Sequence, residues 1–369
     1  MTRSTTSNNA VEVKKSSSTS ILNKIKRPEV IINNILVIAL VIMMVYFTSQ
    51  TPTFLTVSNF EVILTNNAVI GVLVAAMALL VIAGHVDLSV GSNIGFAGTL
   101  VALANTEWGL SPWLSMLVGI GGGALGGTIN GVLCGVLRFN PVIVTLGMLG
   151  ILRGATLLIQ QNEISGLDEF FVVMGNGDFL HIPIQLWIVA ISFVAAAIFI
   201  SLTTWGRYVY AIGSNPRAAF LAALPVRALP FALYVVTGAA AGLAGVMSAA
   251  RLDGSAPGAL GLQMELQALT IVLLGGVAFA GGRGRIGGVA TAWIFLGVLE
   301  NGLTQLNVTP FVQLVAAGLA LVFAASLDSL GSVLGPLLEG RRRVGEQRAA
   351  AGIGTDAVKQ DDTGTVRHL

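Results

Sequence analysis

Long apolar stretches alternate with short polar ones along the chain, and that pattern predicts membrane-crossing helices. A crossing helix needs about 20 mostly apolar residues at about 1.5 Å of rise each. Ten stretches approach this length: Ile31–Phe47, Phe60–Ile82, Gly91–Ala104, Trp113–Val136, Pro141–Ile159, Leu186–Leu202, Leu229–Ala249, Leu266–Ala280, Ile286–Leu303 and Pro310–Leu327. Gly91–Ala104 and Leu266–Ala280 are short for a span. The expected fold class is all-α, a polytopic transmembrane helical bundle of about ten spans. Residues 1–30 are polar, rich in Ser, Thr and Asn, and lead through Lys24, Lys26 and Arg27 into the first span. They read as a disordered cytoplasmic tail, residues 31–328 as the membrane domain, and residues 329–369 as a second cytoplasmic tail, mostly disordered. The run Ile35–Phe47 is as long as a signal-peptide core, but Thr48-Ser49-Gln50-Thr51-Pro52 has no small-x-small cleavage site, so a retained span is expected.

Charge orients these spans. With the N-terminus inside, the inner loops hold Arg138, then Arg207, Arg217 and Arg227, then Arg283 and Arg285, and the C-terminal tail adds Arg341, Arg342 and Arg343. The outer loops hold Glu107, Glu163, Asp168, Glu169, Asp178 and Asp253, with Arg251 as their basic residue. That asymmetry follows the positive-inside rule and predicts both termini on the cytoplasmic side. Spans two to five then enter from outside and spans seven to ten from inside, the arithmetic of two inverted repeats.

Composition agrees with this reading. Hydrophobic residues make up 54% of the 369 and charged residues 10%, against about 25% charged in soluble domains. The mean hydropathy is +0.82. A water-soluble globule of this size lacks the charge for its surface, and disorder is excluded for most of the chain. The single cysteine, Cys134, rules out an internal disulfide and reads as a small buried hydrophobe. His85, His181 and His368 give no metal-site spacing, so no metal is expected. No Gly-x-x-x-x-Gly-Lys-Ser/Thr occurs anywhere, so no nucleotide loop, cofactor or nucleic-acid partner is expected of this chain.

Five features carry chemistry or packing. Gly84-His85-Val86-Asp87-Leu88-Ser89-Val90-Gly91 places a polar, glycine-bracketed segment between the second and third spans. Asp87 reads either as a cap on the third span or as part of a broken helix lining a transport route. Gly119, Gly123, Gly127, Gly131 and Gly135 form a four-residue ladder that lets another backbone approach, within the chain or between subunits. In Gly213-Ser214-Asn215-Pro216-Arg217-Ala218-Ala219-Phe220, Asn215 is a good N-cap and Pro216 a good first helical residue. They predict a short inner-face helix to about Leu224, ended by Pro225, either docking a soluble partner or forming a simple interfacial turn. Leu274-Gly275-Gly276-Val277-Ala278-Phe279-Ala280-Gly281-Gly282-Arg283-Gly284-Arg285 is glycine-rich without the signature of a nucleotide loop. Arg153, Glu265 and Glu300 are intramembrane charges that face either a cavity or the span ends.

These motifs together resemble the membrane permease subunits of bacterial ABC importers for monosaccharides, the ribose/xylose/arabinose/autoinducer-2 class. The resemblance rests on Gly84–Gly91, on Pro141-Val142-Ile143-Val144-Thr145-Leu146-Gly147 with Arg153-Gly154, on Gly206–Ala219, Leu274–Gly284 and Asn301-Gly302-Leu303, and covers about Phe54 to Asp328. His85 stands where the family has glycine, and Leu224-Pro225-Val226 where it has a Gly-Ile ending. The resemblance implies a two-fold permease dimer, homo- or heteromeric, in the bacterial inner membrane. Two cytoplasmic ABC ATPase subunits and an extracytoplasmic sugar-binding protein would complete it, surrounded by membrane lipid. The permease itself is then no enzyme. Gly213, Asn215, Pro216, Arg217, Ala218, Ala219 and Phe220 become the expected ATPase-coupling element. Asp87, Ser89, Asn66, Asn67, Asn130, Thr145, Arg153 and Asn301 are the expected translocation-path residues. The competing readings are nucleoside or branched-chain amino acid permeases, an ion-coupled secondary transporter using Asp87, Glu265 or Glu300, and a membrane scaffold or receptor.

Overall fold

A computed structural model describes residues 35–316 together with 318, 319 and 322. Both polar tails, residues 31–34 of the first expected span and part of the tenth lie outside the described residues. The chain enters as α1 (Ile35–Gln50), then α2 (Val57–Asn66) and α3 (Ala68–Ile82). It continues through α4 (Val90–Thr106), α5 (Pro112–Asn130) with a terminal π turn (Gly131–Val136), and α6 (Pro141–Ile159). The connection after α6 holds the strand β1 (Ile164–Ser165), α7 (Glu169–Asn176), and the hairpin of β2 (Asp178–Phe179) with β3 (Ile182–Pro183). Then follow α8 (Ile184–Leu202), α9 (Thr204–Ser214), α10 (Pro216–Leu221), α11 (Ala228–Leu252), β4 (Gly254–Ser255), α12 (Met264–Leu274) and α13 (Ile286–Gln305). β4 pairs antiparallel with β1.

Among the described residues five helices are long and apolar enough to cross a membrane: α5 with its π turn, α6, α8, α11 and α13. The α2–α3 pair is together long and apolar enough for a sixth, with a bend of 55° between the two helices. A helical membrane protein is the result. The expected continuous span Phe60–Ile82 is therefore broken, and the break has a local cause. Asn67 donates its side-chain amide to the Ile63 carbonyl (3.0 Å), while its own carbonyl accepts the Trp293 indole N–H (2.8 Å) as well as the Gly71 amide (3.0 Å). A side chain from α13 wedged at the helix ladder is a recognised origin of a kink.

The core is centred on α11, which packs against α3, α4 and α5. α4 is enclosed by α5, α6 and α11, and α3 by α8, α11, α12 and α13. Every residue of α3 except Ala76 is buried. The glycine ladder of α5 faces α11 within the same chain. A Cβ at Gly123 would lie 2.5 Å from the Gly238 carbonyl oxygen, and one at Gly127 would lie 2.3 Å from the Tyr234 carbonyl oxygen. Glycine on both helices lets the backbones close to a distance that larger residues forbid, so dispersion contacts replace the hydrophobic drive that lipid removes. By contrast α6 and α8 turn large side chains such as Leu158 and Ile191 outward, as lipid-facing helices do.

The connections differ from the expected ones. The stretch 203–228 is largely helical. Its first half is α9, whose Val209, Ile212 and Gly213 are buried while Arg207 points out. The short helix after Asn215 stops at Leu221 rather than Leu224: Ala223 takes a left-handed turn at φ +56, and the Leu224 amide closes back on the Ala219 carbonyl (3.0 Å). Pro225 comes after this turn and excludes further helix. Finally, the eighth span is helical only to Leu274, and the stretch taken as its outer loop folds back against α4. Leu260 and Gly261 reach Gly95 and Gly91 there, where added Cβ atoms would lie 2.7 Å and 2.6 Å from their carbonyl oxygens.

Candidate functional sites: a short capped helix and two interruptions

The short helix α10 is capped as its residues require. The Asn215 side-chain oxygen accepts the amides of Arg217 (3.1 Å) and Ala218 (3.0 Å), and Pro216 fills the first position, where no amide partner exists. Ala219 is buried and anchors α10, whereas Phe220 is 62% exposed and Leu221 83% exposed, with Arg217 and Ala218 also at the surface. Two apolar side chains and a guanidinium thus project from a helix held at its base. Gly213 is buried in the last turn of α9, directly behind the cap. Tyr210, one turn earlier, donates to the Gly284 carbonyl (2.9 Å). Burial raises its phenol above the usual range, against the opposing pull of Arg285, so it stays a neutral donor.

The first interruption is Gly84–Ser89, non-helical between α3 and α4. Asp87 is fully buried. One carboxylate oxygen accepts the Ser89 amide (2.8 Å) and hydroxyl (2.6 Å), and the other accepts the Asn130 amide (3.1 Å). Asn130 also donates to the Ser89 oxygen (2.8 Å). Asp87 therefore does not reach the second or third amide of α4 as a cap would; Ser89 holds the cap position without a side-chain bond. Two residues of one interruption are clamped instead to α5, just before its π turn. Tyr234 of α11 donates to the Val86 carbonyl (3.1 Å) and packs edge-on against His85. Asn130 stands just before the six-residue π turn that ends at Val136, so the cluster lies more than one helical turn in from that end of the span.

The second interruption runs from Asp253 to Gln263 between α11 and α12. Ser255 and Thr99 share a hydrogen bond (3.0 Å), and Arg153 of α6 reaches past Gly95 to donate to the Leu260 carbonyl (2.8 Å). Asp253 and Gln263 both adopt left-handed backbone. Glu265, in the first turn of α12, presses against the first turn of α4 at Gly91, and its Oε2 is buried with no hydrogen-bond partner. The N-termini of α4 and α12 thus meet inside the bundle. Two helix N-termini concentrate unpaired amides and partial positive charge. Further along α12, Gln267 donates to the Glu300 carboxylate of α13 (2.7 Å).

The eight expected path residues do not form one cluster. Asp87, Ser89 and Asn130 converge; Arg153 belongs to the other interruption; Thr145 is buried and donates to the Pro141 carbonyl of its own helix (2.8 Å). Asn66 accepts from Arg251, which also donates to the Thr65 carbonyl (2.9 Å), so that arginine caps α2. Asn67 marks the kink. Asn301 exchanges hydrogen bonds with Asn59 (3.1 Å each way), joined by Gln305 (2.7 Å to Asn59). Reading the chain missed Asn59, Tyr234 and Trp293, because each acts on a partner more than a hundred residues away and carries no local pattern.

Residues 59–325 match the family model described as branched-chain amino acid transport system / permease component. The chain belongs to this family of transport permeases. It is 34% identical over 294 residues to the ribose import permease protein RbsC of Bacillus subtilis, covering 79% of this chain and 91% of that one. It is 35% identical to the D-allose transport system permease protein AlsC of Escherichia coli, over 79% of this chain and 90% of that one. A third relative is the L-arabinose ABC transporter permease protein AraH of Azospirillum brasilense, 34% identical over 75% of this chain and 81% of that one. No solved structure matches the chain. The matched family segment begins within α2 and contains both interruptions and the capped helix α10.

Proposed function

We propose that this chain is the membrane-spanning permease of an ATP-driven importer for a monosaccharide such as ribose or a related pentose or hexose. The observation that carries the reading is its likeness, over most of its length, to ribose, allose and arabinose permeases. The family description names branched-chain amino acids, but the sugar permeases cover the chain almost end to end within its membrane part. Two cytoplasmic ATPase subunits drive the cycle, an extracytoplasmic binding protein delivers the sugar, and a second permease subunit completes the pore in the bacterial inner membrane. Gly213 to Phe220 forms the coupling element; its exposed Arg217, Phe220 and Leu221 suit a groove on a soluble partner.

The packing supports the inverted-repeat reading. α3 and α11 touch each other, α4 packs on α11 as α12 packs on α3, and α5 packs on α4 and α11 as α13 packs on α12 and α3. α4 and α12 are also the two helices preceded by an interruption. Exchange of the two halves maps one pattern onto the other, which accounts for about ten spans with both termini cytoplasmic. Alternating access then moves one half against the other around the meeting point of α4 and α12, where Arg153 lies. Asp87, Ser89 and Asn130 stand on the inner branch of that route, Asn66, Asn67 and Asn301 toward the outer ends of α2 and α13, and Thr145 on α6.

Uptake of radiolabelled ribose and leucine into vesicles holding the permease with its ATPase subunits tests the reading. Sugar uptake is expected to need ATP and to survive collapse of ion gradients; gradient-driven uptake without the ATPase rejects it, and leucine uptake rejects the sugar assignment. Arg217→Glu is expected to weaken capture of the ATPase subunits about tenfold, by reversing charge on the docking helix. Unchanged capture removes the coupling assignment.

A further inference from the structure

The glycine-rich stretch Leu274–Arg285 has no role in the reading above, yet it makes the closest backbone packing on the inner face. The Gly282 amide donates to the carbonyl of Ile82, the last residue of α3 (2.8 Å). A Cβ at Gly213 would overlap that same Ile82 oxygen, and would lie 2.5 Å from the Gly282 nitrogen. A Cβ at Gly281 would lie 2.7 Å from the Gly84 α-carbon, and one at Gly282 would lie 2.6 Å from the Ser214 α-carbon. Gly84, Gly281 and Gly282 all take positive φ. Tyr210 closes the far side through its bond to the Gly284 carbonyl. Three chain segments therefore meet with main chain against main chain: the base of the inner-face helix, the end of α3, and the turn from α12 to α13.

We propose that this glycine joint is the transmission element that makes α10 and the inner end of α12 move as one body. It rests on the coupling reading of α10. Contacts between side chains yield when pushed, because long side chains change rotamer; contacts between backbones at glycine have nothing that can yield short of moving a whole segment. A displacement of α10 by the ATPases then reaches α12 through Gly213 and Gly282, and α12 carries Glu265 against the N-terminus of α4. The joint gives the stretch Gly281–Gly284 a positioning role; it borders the first interruption at Gly84 and reaches the second through α12.

The test uses the full permease with its ATPase subunits in lipid nanodiscs, in a Cys134→Ala background, because Cys134 is the natural thiol. Spin labels at Leu117→Cys on α5 and Leu266→Cys on α12, both exposed positions, report movement of α12 against the bundle. Labels at Ser214→Cys and Arg283→Cys, also exposed, report the joint itself. On trapping with ATP and vanadate the first distance is expected to change by several Å, as helix shifts in switching proteins do, while the second stays fixed. Gly213→Ala is expected to reduce the α12 change and transport about tenfold or more with capture of the ATPases retained. Tyr210→Phe, which removes one hydrogen bond and no packing, gives a smaller reduction. Gly287→Ala, at an open position in the first turn of α13, behaves as the parent. An α12 distance that does not move, a Ser214–Arg283 distance that does, or a Tyr210→Phe and Gly213→Ala pair that both cycle as the parent overturns the joint. Capture measured on Arg217→Glu decides the coupling reading separately.

Discussion

The two interruptions of the bundle are built from similar backbone but finished differently. In Gly84–Ser89 both oxygens of the buried Asp87 carboxylate have donors, and the segment is tied to α5 through Asn130 and to α11 through Tyr234. In Asp253–Gln263 the nearby carboxylate, Glu265, has a buried oxygen without a partner and two residues sit in left-handed turns, although β4 pairs with β1, Ser255 bonds Thr99 and Arg153 reaches the Leu260 carbonyl. Asn130 also keeps one buried oxygen without a partner, so the contrast lies in the two carboxylates: one with both oxygens satisfied favours a single arrangement, and one with a buried unpaired oxygen tolerates alternatives. On that contrast the segment around Asp87 is expected to anchor the bundle and the segment beside Glu265 to rearrange.

The largest effect that separates them is expected at Asp87. Asp87→Ala strips the Ser89 amide and hydroxyl and the Asn130 amide of their acceptor inside the bundle, and should cost about 3 kcal/mol of stability. Thermal unfolding in detergent measures it; a loss below about 0.5 kcal/mol, the range of an indifferent surface change, breaks the anchoring side of the comparison. Next comes Gly261→Ala. Gly261 has φ +72, and a Cβ there would run into the Gly91 carbonyl, so the second interruption would be forced off α4 at a cost of about 2 kcal/mol. Transport should fall further than the unfolding temperature suggests, because the moving interruption is the part displaced. The smallest change in stability is expected for Glu265→Gln, about 1 kcal/mol or less, since one of the oxygens it alters makes no hydrogen bond. Uptake should nevertheless change severalfold. If Glu265→Gln unfolds the protein as readily as Asp87→Ala, the two interruptions are equally structural and the contrast dissolves.

Much of this was legible along the chain. The apolar runs of α5, α6, α8, α11 and α13 stand out because each is long, and each was expected within a few residues. Asn215-Pro216 marks a helix start for purely local reasons, and the start is where the pair puts it. The glycine ladder of α5 announced a close approach, though not the identity of α11 as its partner. What could not be read shares one property. The kink at Asn67 depends on Trp293, and the clamp on Asp87 depends on Asn130. The stretch Ala256-Pro257-Gly258-Ala259-Leu260 looks like an outer turn, yet it packs into the bundle because Gly91, Gly95 and Gly98 leave a groove on α4.

The residues in their order determined that the chain enters a membrane, roughly where it crosses, and that a capped helix stands between α9 and α11. Hydrophobicity, capping and proline geometry act within a few neighbours, so each is decided before the chain folds. The tertiary structure alone decided which spans are interrupted, which polar groups are satisfied and which segments share the glycine joint. In lipid a backbone group without a local partner must find one inside the protein, and that partner is supplied by packing with helices far away in the chain.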